Sequence, residues 1–240
     1  MSDATNEFSE LISAVDPHEI DALVSQAKIE TYKPRPFEDL NGVALFDRQV
    51  NHLIELGYPE VMGTTTRAFM RLLDPLQGEA LGPETHDIPF LVAIPPILVS
   101  VRDQLSLVRH GGGGVTQFLE DADLVNRSGL ETPEGPYLLR GVDVGDDLRG
   151  LSPELASRRV IDAGRSPLTI AEGAALLSHY PHILDFLNLH LAGTLHKSGN
   201  AVDVYAYAGA VKLKRDPAHL GDPRWGTPSC ADRVDPAVRP

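Results

Sequence analysis

The chain has 240 residues, of which 42% are hydrophobic and 23% charged, the composition of a globular protein large enough to bury a core. Its net charge is −13 and it has no long run of lysine or arginine, so nucleic acids and anionic membrane surfaces would repel it. One cysteine excludes an intramolecular disulfide and a multi-thiolate metal site.

The apolar segments argue against a membrane span. The longest, residues 88–101, is interrupted by Pro89, Pro95 and Pro96, whereas a span needs about 20 continuous apolar residues. The first residues are acidic and polar, unlike a secretory signal, which begins basic and continues apolar. We therefore expect a cytoplasmic protein that binds neither membrane nor nucleic acid.

The first 35 residues have the pattern of a separate arm. A helix is predicted from Pro17 to Lys28, with Asp16 as its N-cap. The proline-rich segment 32–36 follows as a stiff linker. We expect residues 1–35 to pack onto the body or onto a neighbouring subunit, and residues 36–240 to form a single domain.

Local signals predict the elements of that domain. Apolar stripes, caps and glycine stops indicate helices, and short apolar or alternating runs indicate strands. The predicted helices are 37–56, 67–73, 100–108 and 153–164, and a fifth begins at the capping box 169–172 and ends before Pro181. The predicted strands are 90–94, 136–144, 202–207 and 211–214. We expect the last two strands to pair across Gly209.

These elements define a fold class. Helices dominate the first third, and strands with irregular connections follow instead of regular βαβ units. This order favours an α+β fold: a helical N-terminal third, then a mixed α/β body with a small, mainly antiparallel sheet.

Several short motifs, taken together in order, are typical of one family. They are Phe46-Asp47-Arg48-Gln49-Val50 with Leu56-Gly57-Tyr58-Pro59, Tyr137-Leu138 with Val142-Asp143-Val144-Gly145, Gly164-Arg165-Ser166-Pro167-Leu168-Thr169 with Glu172-Gly173 and Tyr180-Pro181, and His219-Leu220-Gly221 with Ser229-Cys230-Ala231-Asp232-Arg233. Over residues 39–233 the chain resembles a family of uncharacterised cytoplasmic proteins of high-GC Gram-positive bacteria, a domain of unknown function.

The resemblance implies that the C-terminal loop is a family feature, and it implies no activity. The chain departs from the family pattern at residues 111–114 and 202–214. In the second of these segments the family usually has a tryptophan-rich strand pair, where this chain has Tyr205 and Tyr207.

Two groups of residues suggest ligand chemistry, but each has a simpler interpretation. His179, His182, His190 and His196 are close in sequence, yet Pro181 breaks the helical spacing that a metal site needs, so we expect scattered surface or capping histidines and no metal. The four glycines 111–114 lack the lysine of a phosphate loop and follow a predicted helix, so we expect a flexible connection. We predict no cofactor.

The C-terminal loop, residues 219–233, holds the only tryptophan and the only cysteine. Its glycines and prolines exclude a helix, so we expect a loop. Because these residues restrict the backbone around the tryptophan and the cysteine, we expect the loop to have a defined conformation. We expect it to form a pocket with Asp143 and the turn 167–172. In this pocket Arg165 and Arg233 would bind an anionic group and Trp225 would supply an apolar wall.

Three functional hypotheses remain open at this point. The first is a protein that binds a small molecule or a protein partner at this pocket. The second is a small-metabolite enzyme in which Cys230 or His219 performs nucleophilic or acid–base chemistry, although a lone cysteine is more often a small buried apolar residue. The third is a structural subunit of a homo-oligomer that associates through residues 1–35.

Overall fold

The structure, a computed structural model, describes residues 39–82 and 86–236. All of these residues fall within one compact unit, 36–240. The predicted helix at 17–28, the arm of residues 1–35 and its association with a neighbouring subunit lie outside the described residues, so they stay predictions.

The predicted helices of the body are present. Described residues form six α-helices: α1 (Gly42–Leu56), α2 (Tyr58–Val61), α3 (Thr66–Leu73), α4 (Val101–Leu107), α5 (Pro153–Asp162) and α6 (Ile170–His179). Helix α1 is shorter than predicted, because residues 39–41 are not helical and the Asn41 side chain accepts a hydrogen bond from the Gly42 N–H at 2.8 Å. An asparagine that satisfies a free amide in this way begins a helix.

Strands in the described residues number twelve. They are β1 (Ile88–Ala93), β2 (Arg109–His110), β3 (Gly113–Gln117), β4 (Leu124–Asn126), β5 (Tyr137–Val142), β6 (Ser166–Pro167), β7 (Asn188–His196), β8 (Ala201–Tyr207), β9 (Ala210–Asp216), β10 (Trp225–Gly226), β11 (Ser229–Cys230) and β12 (Asp232–Val234). Strands β1, β5 and β12 form a three-stranded sheet in that order. A seven-stranded sheet has the order β10-β7-β8-β9-β3-β2, and its seventh strand, β4, also pairs with β7. Strands β11 and β6 form a separate pair.

The α+β class is confirmed, but the expectation of a small sheet is wrong. The body is mostly a curled mixed sheet of seven strands, in which β3 pairs with β9, and β10 with β7, in parallel. Two- and three-residue strands such as β2, β4 and β10 complete it. They are too short to show the alternation by which strands are recognised in a sequence.

Strand β1 divides the core into two layers. Leu91 and Ala93 face one buried cluster, while the alternating residues Phe90 and Val92 face another that includes Leu45 and other apolar side chains of α1 and α3. Because both faces are covered, β1 is apolar throughout instead of alternating.

Gln49 of α1 fixes that helix to the free edge of β1. Its Nε2 donates to the Phe90 carbonyl at 2.9 Å, and its Oε1 accepts from the Val92 N–H at 2.8 Å. The buried side-chain amide therefore pairs with the two backbone groups of β1 that a neighbouring strand would otherwise satisfy. This contact sets which face of α1 turns towards the end of α6.

Helix α6 lies at the centre of the unit, and every residue from Ile170 to Ser178 is buried. A helix that is apolar on all sides has to lie inside a protein, and α6 contacts α4, β1 and β7. The predicted capping box of Thr169 and Glu172 is confirmed. The two ends of α6 carry the polar groups described below.

Two hairpins lie side by side at the edge of the large sheet. The predicted pair β8 and β9 turns at Ala208 and Gly209, both with positive φ. Residues 109–117 form a second hairpin that turns at Gly111 and Gly112, so the expectation of a flexible connection there is wrong. Gly113 is needed because a Cβ at this position would lie 2.3 Å from the Gly209 carbonyl oxygen.

Candidate functional site

The C-terminal loop closes onto the body at Asp143 and at the strand that precedes the turn 167–172. Ser229 forms an isolated bridge with Asp143, and β11 pairs with β6, which leads into the turn 167–172. Strand β12 then adds to β5. The segment is thus hydrogen-bonded to three separate parts of the body.

Arg233, predicted to bind an anionic ligand, is instead paired with a carboxylate of the same chain. Its Nε and Nη2 donate to Glu172 Oε1 and Oε2 at 2.6 and 2.8 Å, and its Nη1 donates to the Ser166 hydroxyl at 2.6 Å. Burial disfavours its charge, but the hydrogen bonds and charge of Glu172 outweigh this and raise the pKa of Arg233. This geometry supports a structural role for Arg233.

Glu172 has further partners of its own. The Tyr137 hydroxyl donates to Oε1 at 2.9 Å, and the Thr169 N–H donates to Oε2 at 2.7 Å. Burial and the adjacent carboxylate raise the pKa of Tyr137, so this hydroxyl stays protonated and remains a donor. Both oxygens of this buried carboxylate therefore have hydrogen-bond donors, as a buried charged group requires.

Arg165 and Asp143 do lie together, on either side of Ser229. Arg165 Nε donates to the Ser229 hydroxyl at 2.9 Å, and Nη2 donates to the Gly141 carbonyl at 2.7 Å. Asp143 Oδ1 accepts from the Gly145 N–H at 2.7 Å. Both side chains hold backbone or hydroxyl groups of the loop junction in place.

His86 also joins this junction, and it is not among the residues predicted from the sequence. Its ring nitrogens lie 3.3 and 3.4 Å from Arg165 Nη1, and burial followed by the charge of Arg165 lowers its pKa. No local pattern marks it, because the contact joins residues 79 positions apart in the chain.

Trp225 lies in a different sheet from Arg233. It belongs to the large sheet through β10, whereas Arg233 belongs to the three-stranded sheet. Its indole stacks on the His190 imidazole with ring centres 4.9 Å apart, and Lys214 Nζ lies 4.6 Å from its centre. The tryptophan is therefore a buried residue that packs against His190 and Lys214.

His190 forms a buried pair with Asp203, its direct neighbour on β8. The Nδ1 of His190 lies 2.6 Å from Asp203 Oδ1, and burial raises the pKa of Asp203. His190 and His196 are both buried, so the expectation of surface histidines is wrong for these two.

Cys230 lacks the environment of a nucleophile. Its side chain is fully buried in β11, and burial raises its pKa to about 12, so the thiol stays protonated at neutral pH. His219 lies in an exposed part of the loop. The geometry gives no support to thiolate chemistry at Cys230.

The feature best suited to a ligand lies at the other end of α6. A cavity of about 450 Å³ opens between α1 and the segment that follows α6. Its lining residues are polar: Arg48, Asn51, His52, Glu55, His179, Tyr180 and His182.

One wall of this cavity, which we call the histidine cavity, is a single face of α1. Arg48, Asn51, His52 and Glu55 follow the i, i+3, i+4, i+7 spacing of neighbours on one side of a helix. This polar stripe was visible in the sequence. Only the tertiary structure shows that it faces His179 and Tyr180, because it lies about 130 residues from them in the chain.

Hydrogen bonds join the two walls. His52 Nε2 lies 2.9 Å from the Ser178 carbonyl oxygen, so this nitrogen carries the proton and donates. Arg48 Nη2 donates to the Tyr180 hydroxyl at 3.2 Å. Burial raises the pKa of Tyr180 to about 12, so its hydroxyl is protonated at neutral pH.

His179 forms part of the cavity wall between these contacts. Burial, together with the nearby His52 and Arg48, lowers its pKa to about 3, so the ring is neutral at physiological pH. Its Nε2 is buried and has no hydrogen-bond partner among the described residues. A neutral imidazole can donate or accept one hydrogen bond there.

Metal binding has no support in the part of the chain that the structure describes. Residues 39–82 and 86–236 contain no group of three or more His, Cys, Asp or Glu side chains able to hold a metal ion. Among the same residues, no helix is long and apolar enough to cross a membrane.

Comparisons with known proteins identify a family without assigning an activity. The model of the Family of unknown function (DUF5701) matches residues 52–197, more than half of the chain. This range includes His52, Glu55 and the end of α6, but the loop 219–233 and the motif at 46–50 lie outside it. No curated protein and no solved structure matches the chain. The chain belongs to DUF5701, a family of unknown function.

Proposed function

We propose that the protein binds a small molecule in the histidine cavity. The observation that carries the proposal is the convergence of polar groups from two helices on one concave space. Its volume of about 450 Å³ falls within the range of about 300–1,000 Å³ that small-molecule sites occupy.

Two further properties support ligand binding. The pKa values of His179 and Tyr180 are both displaced from their ordinary values by burial, and such groups are concentrated at functional sites. The Nε2 of His179 is buried and finds no hydrogen-bond partner within 39–82 and 86–236, which is costly, and a ligand able to hydrogen-bond to it would recover that cost.

A small molecule fits this site better than a protein partner, the other occupant that the sequence left open. The cavity is concave, as small-molecule sites are, whereas a stable interface with a protein partner covers a broad surface of about 800 Å² on each partner. The proposal keeps the predicted class of function and moves the site away from Asp143, Arg165, Trp225 and Arg233. The side chains of these four residues contact other residues of the body or the loop.

A fragment screen against a blocked variant tests the proposal. Asn51 is an exposed lining residue, so Asn51→Trp should fill the cavity without disturbing the core. Ala44→Trp places the same side chain on an exposed position of α1 outside the cavity. We expect polar fragments, detected by saturation-transfer NMR, to bind the wild type and Ala44→Trp but not Asn51→Trp. Absence of binding to the wild type, or equal binding to Asn51→Trp, would overturn the proposal.

We also propose that the protein is a cytoplasmic protein of bacterial origin. A single buried cysteine in 240 residues is common in reducing compartments, and the origin follows from the family resemblance. Fractionation of a tagged chain in a high-GC Gram-positive host tests the location, and recovery in the membrane or culture medium would contradict it.

A further inference from the structure

We infer that the ligand of the histidine cavity is a small amine, whose ammonium group binds between Glu55 and His52. This inference rests on the proposed function, and it names the chemical class of the ligand. It follows from two hydrogen-bond acceptors that lie close together in the cavity wall without a donor between them.

The first acceptor is Nδ1 of His52. The Nε2 of this ring donates its proton to the Ser178 carbonyl oxygen at 2.9 Å, so in the neutral imidazole Nδ1 carries a lone pair. The His52 side chain is 39% exposed and lines the cavity, so a ligand can reach it.

The second acceptor is the Glu55 carboxylate, which is largely exposed. Its Oε2 lies 3.7 Å from His52 Nδ1, beyond the hydrogen-bond range of about 2.7–3.2 Å. While His52 is neutral, neither of these two atoms can donate to the other. An ammonium group placed beside them has N–H bonds for both acceptors.

The surroundings favour a positive charge on this donor. Glu55 is anionic, and the carbonyls in the last turn of α6, one of which bonds to His52, carry partial negative charge. The adjacent His179 is neutral at physiological pH and does not repel a cation. The net charge of −13 also raises the concentration of cations near the protein.

Arg48, the cation on the same wall, is too far from Glu55 to prevent this binding. The two residues are seven positions apart on one face of α1, which corresponds to about 10.5 Å along the helix axis. That separation exceeds the Debye length of about 8 Å at physiological ionic strength, so their charges are largely screened from each other.

A proton on His52 should compete with the amine. In acid, Nδ1 becomes a donor to Glu55 and the ring becomes positive, so the missing donor is supplied and an ammonium group is repelled. The other titratable or charged groups that line the cavity are Arg48, His179, Tyr180 and His182.

Only one of those four groups could imitate His52. Arginine is charged at every pH of interest, and the pKa values of His179 and Tyr180, about 3 and about 12, keep both side chains neutral between pH 5.5 and pH 7.5. His182 is the remaining group, and the experiment below distinguishes it from His52.

Isothermal titration calorimetry with three probes of the same carbon chain tests the inference. The probes are pentylamine, which carries an ammonium group, 1-pentanol, which is neutral, and valerate, which carries a carboxylate. At pH 7.5 we expect pentylamine to bind the wild type at least about tenfold more tightly than either of the others, since only the ammonium makes charge-assisted hydrogen bonds.

Two charge-matched variants locate the preference. Glu55→Gln removes the negative charge without changing the size of the side chain and should weaken pentylamine binding at least about tenfold. Asp47→Asn neutralises an exposed carboxylate of α1 outside the cavity and should preserve the preference. Equal affinities of the wild type for the three probes, or a preference that survives Glu55→Gln, would overturn the inference.

Titrations at a second pH test the competition. We expect the affinity of the wild type for pentylamine to fall at least about threefold from pH 7.5 to pH 5.5. His52→Gln keeps a side-chain N–H for the Ser178 carbonyl but does not titrate, so the fall should disappear or binding should be lost at both pH values. A fall that is unchanged in His52→Gln would assign the effect to His182 and contradict the contact with His52.

The outcomes separate this inference from the proposed function. If fragments bind the wild type but not Asn51→Trp, while pentylamine shows no preference or no binding, the cavity binds small molecules and the amine is wrong. If the fragments also fail to bind, the proposed function itself is wrong.

Discussion

Arg233 and Glu172 form a bidentate ion pair that joins β12, near the end of the described chain, to the first turn of the central helix α6. Glu172 is fully buried and Arg233 nearly so at its side chain, so the pair is largely shielded from solvent. The contact explains how the C-terminal segment is held against the core, and it yields the first prediction.

Arg233→Met should lower the free energy of unfolding by about 3–5 kcal/mol, because it leaves the buried Glu172 charge unpaired. Urea denaturation measures this. Arg158→Met, which breaks an exposed pair with Glu154, is the control and should cost less than about 1 kcal/mol. Equal losses in the free energy of unfolding for the two variants would show that the buried pair stabilises the fold no more than an exposed pair does.

Cys230 should not react with iodoacetamide in the folded protein between pH 7 and pH 8.5. Its thiol is fully buried and its pKa is raised to about 12, so little thiolate forms and the reagent cannot reach it. Mass spectrometry should show labelling only after unfolding in guanidinium chloride. Rapid labelling of the native protein would contradict the burial of this strand and reopen the enzyme hypothesis.

His179 should make the protein less stable in acid. Its pKa is lowered from 6.5 to about 3 in the folded state, so below pH 6.5 the unfolded chain takes up a proton that the folded chain does not. The stability it contributes is present above pH 6.5 and is lost as the pH falls towards 3.

Between pH 7 and pH 5 the wild type should therefore lose on the order of 2 kcal/mol more stability than His179→Gln. Urea denaturation of both proteins at the two pH values measures the difference, and other titrating groups cancel in the comparison. Parallel losses in the two proteins would show that His179 titrates normally in the folded state.

Gln49 should be important for stability although it is polar. Gln49→Ala leaves the Phe90 carbonyl and the Val92 N–H without their partner, and each buried unpaired group costs about 1–3 kcal/mol. Gln77→Ala removes an exposed hydrogen bond to Asp47 and serves as the control. Thermal unfolding should show a large fall in Tm for the first variant and little change for the second.

The β8–β9 turn offers a stabilising substitution. Ala208 has a φ of 52°, which is strained for a residue with a Cβ and normal for glycine. Ala208→Gly should relieve this strain and raise the stability by up to about 1 kcal/mol, while Gly209→Ala, at a φ of 75°, should lower it. Denaturation midpoints that move in the opposite directions would contradict the turn geometry.

Local patterns placed five of the six helices and four of the twelve strands in the described residues. The Thr169–Glu172 capping box predicted the start of α6, and the alternation on either side of Gly209 predicted the β8–β9 hairpin. In each case the residues that decide the structure are neighbours in the chain. Short strands such as β10 and β11 were missed, because two residues cannot show a period.

The role of each charged side chain was decided by residues far away in the sequence. The sequence near the tryptophan and the cysteine predicted that Arg233 would bind an anionic ligand. Its partner is instead Glu172, which lies 61 residues earlier in the chain and so could not be recognised from the local sequence. The polar stripe of α1 was visible in the sequence, yet only packing brings it to His179 and Tyr180. A sequence by itself determines which groups a segment can offer; tertiary packing decides which of them are buried together, and burial and pairing set their charge and chemistry.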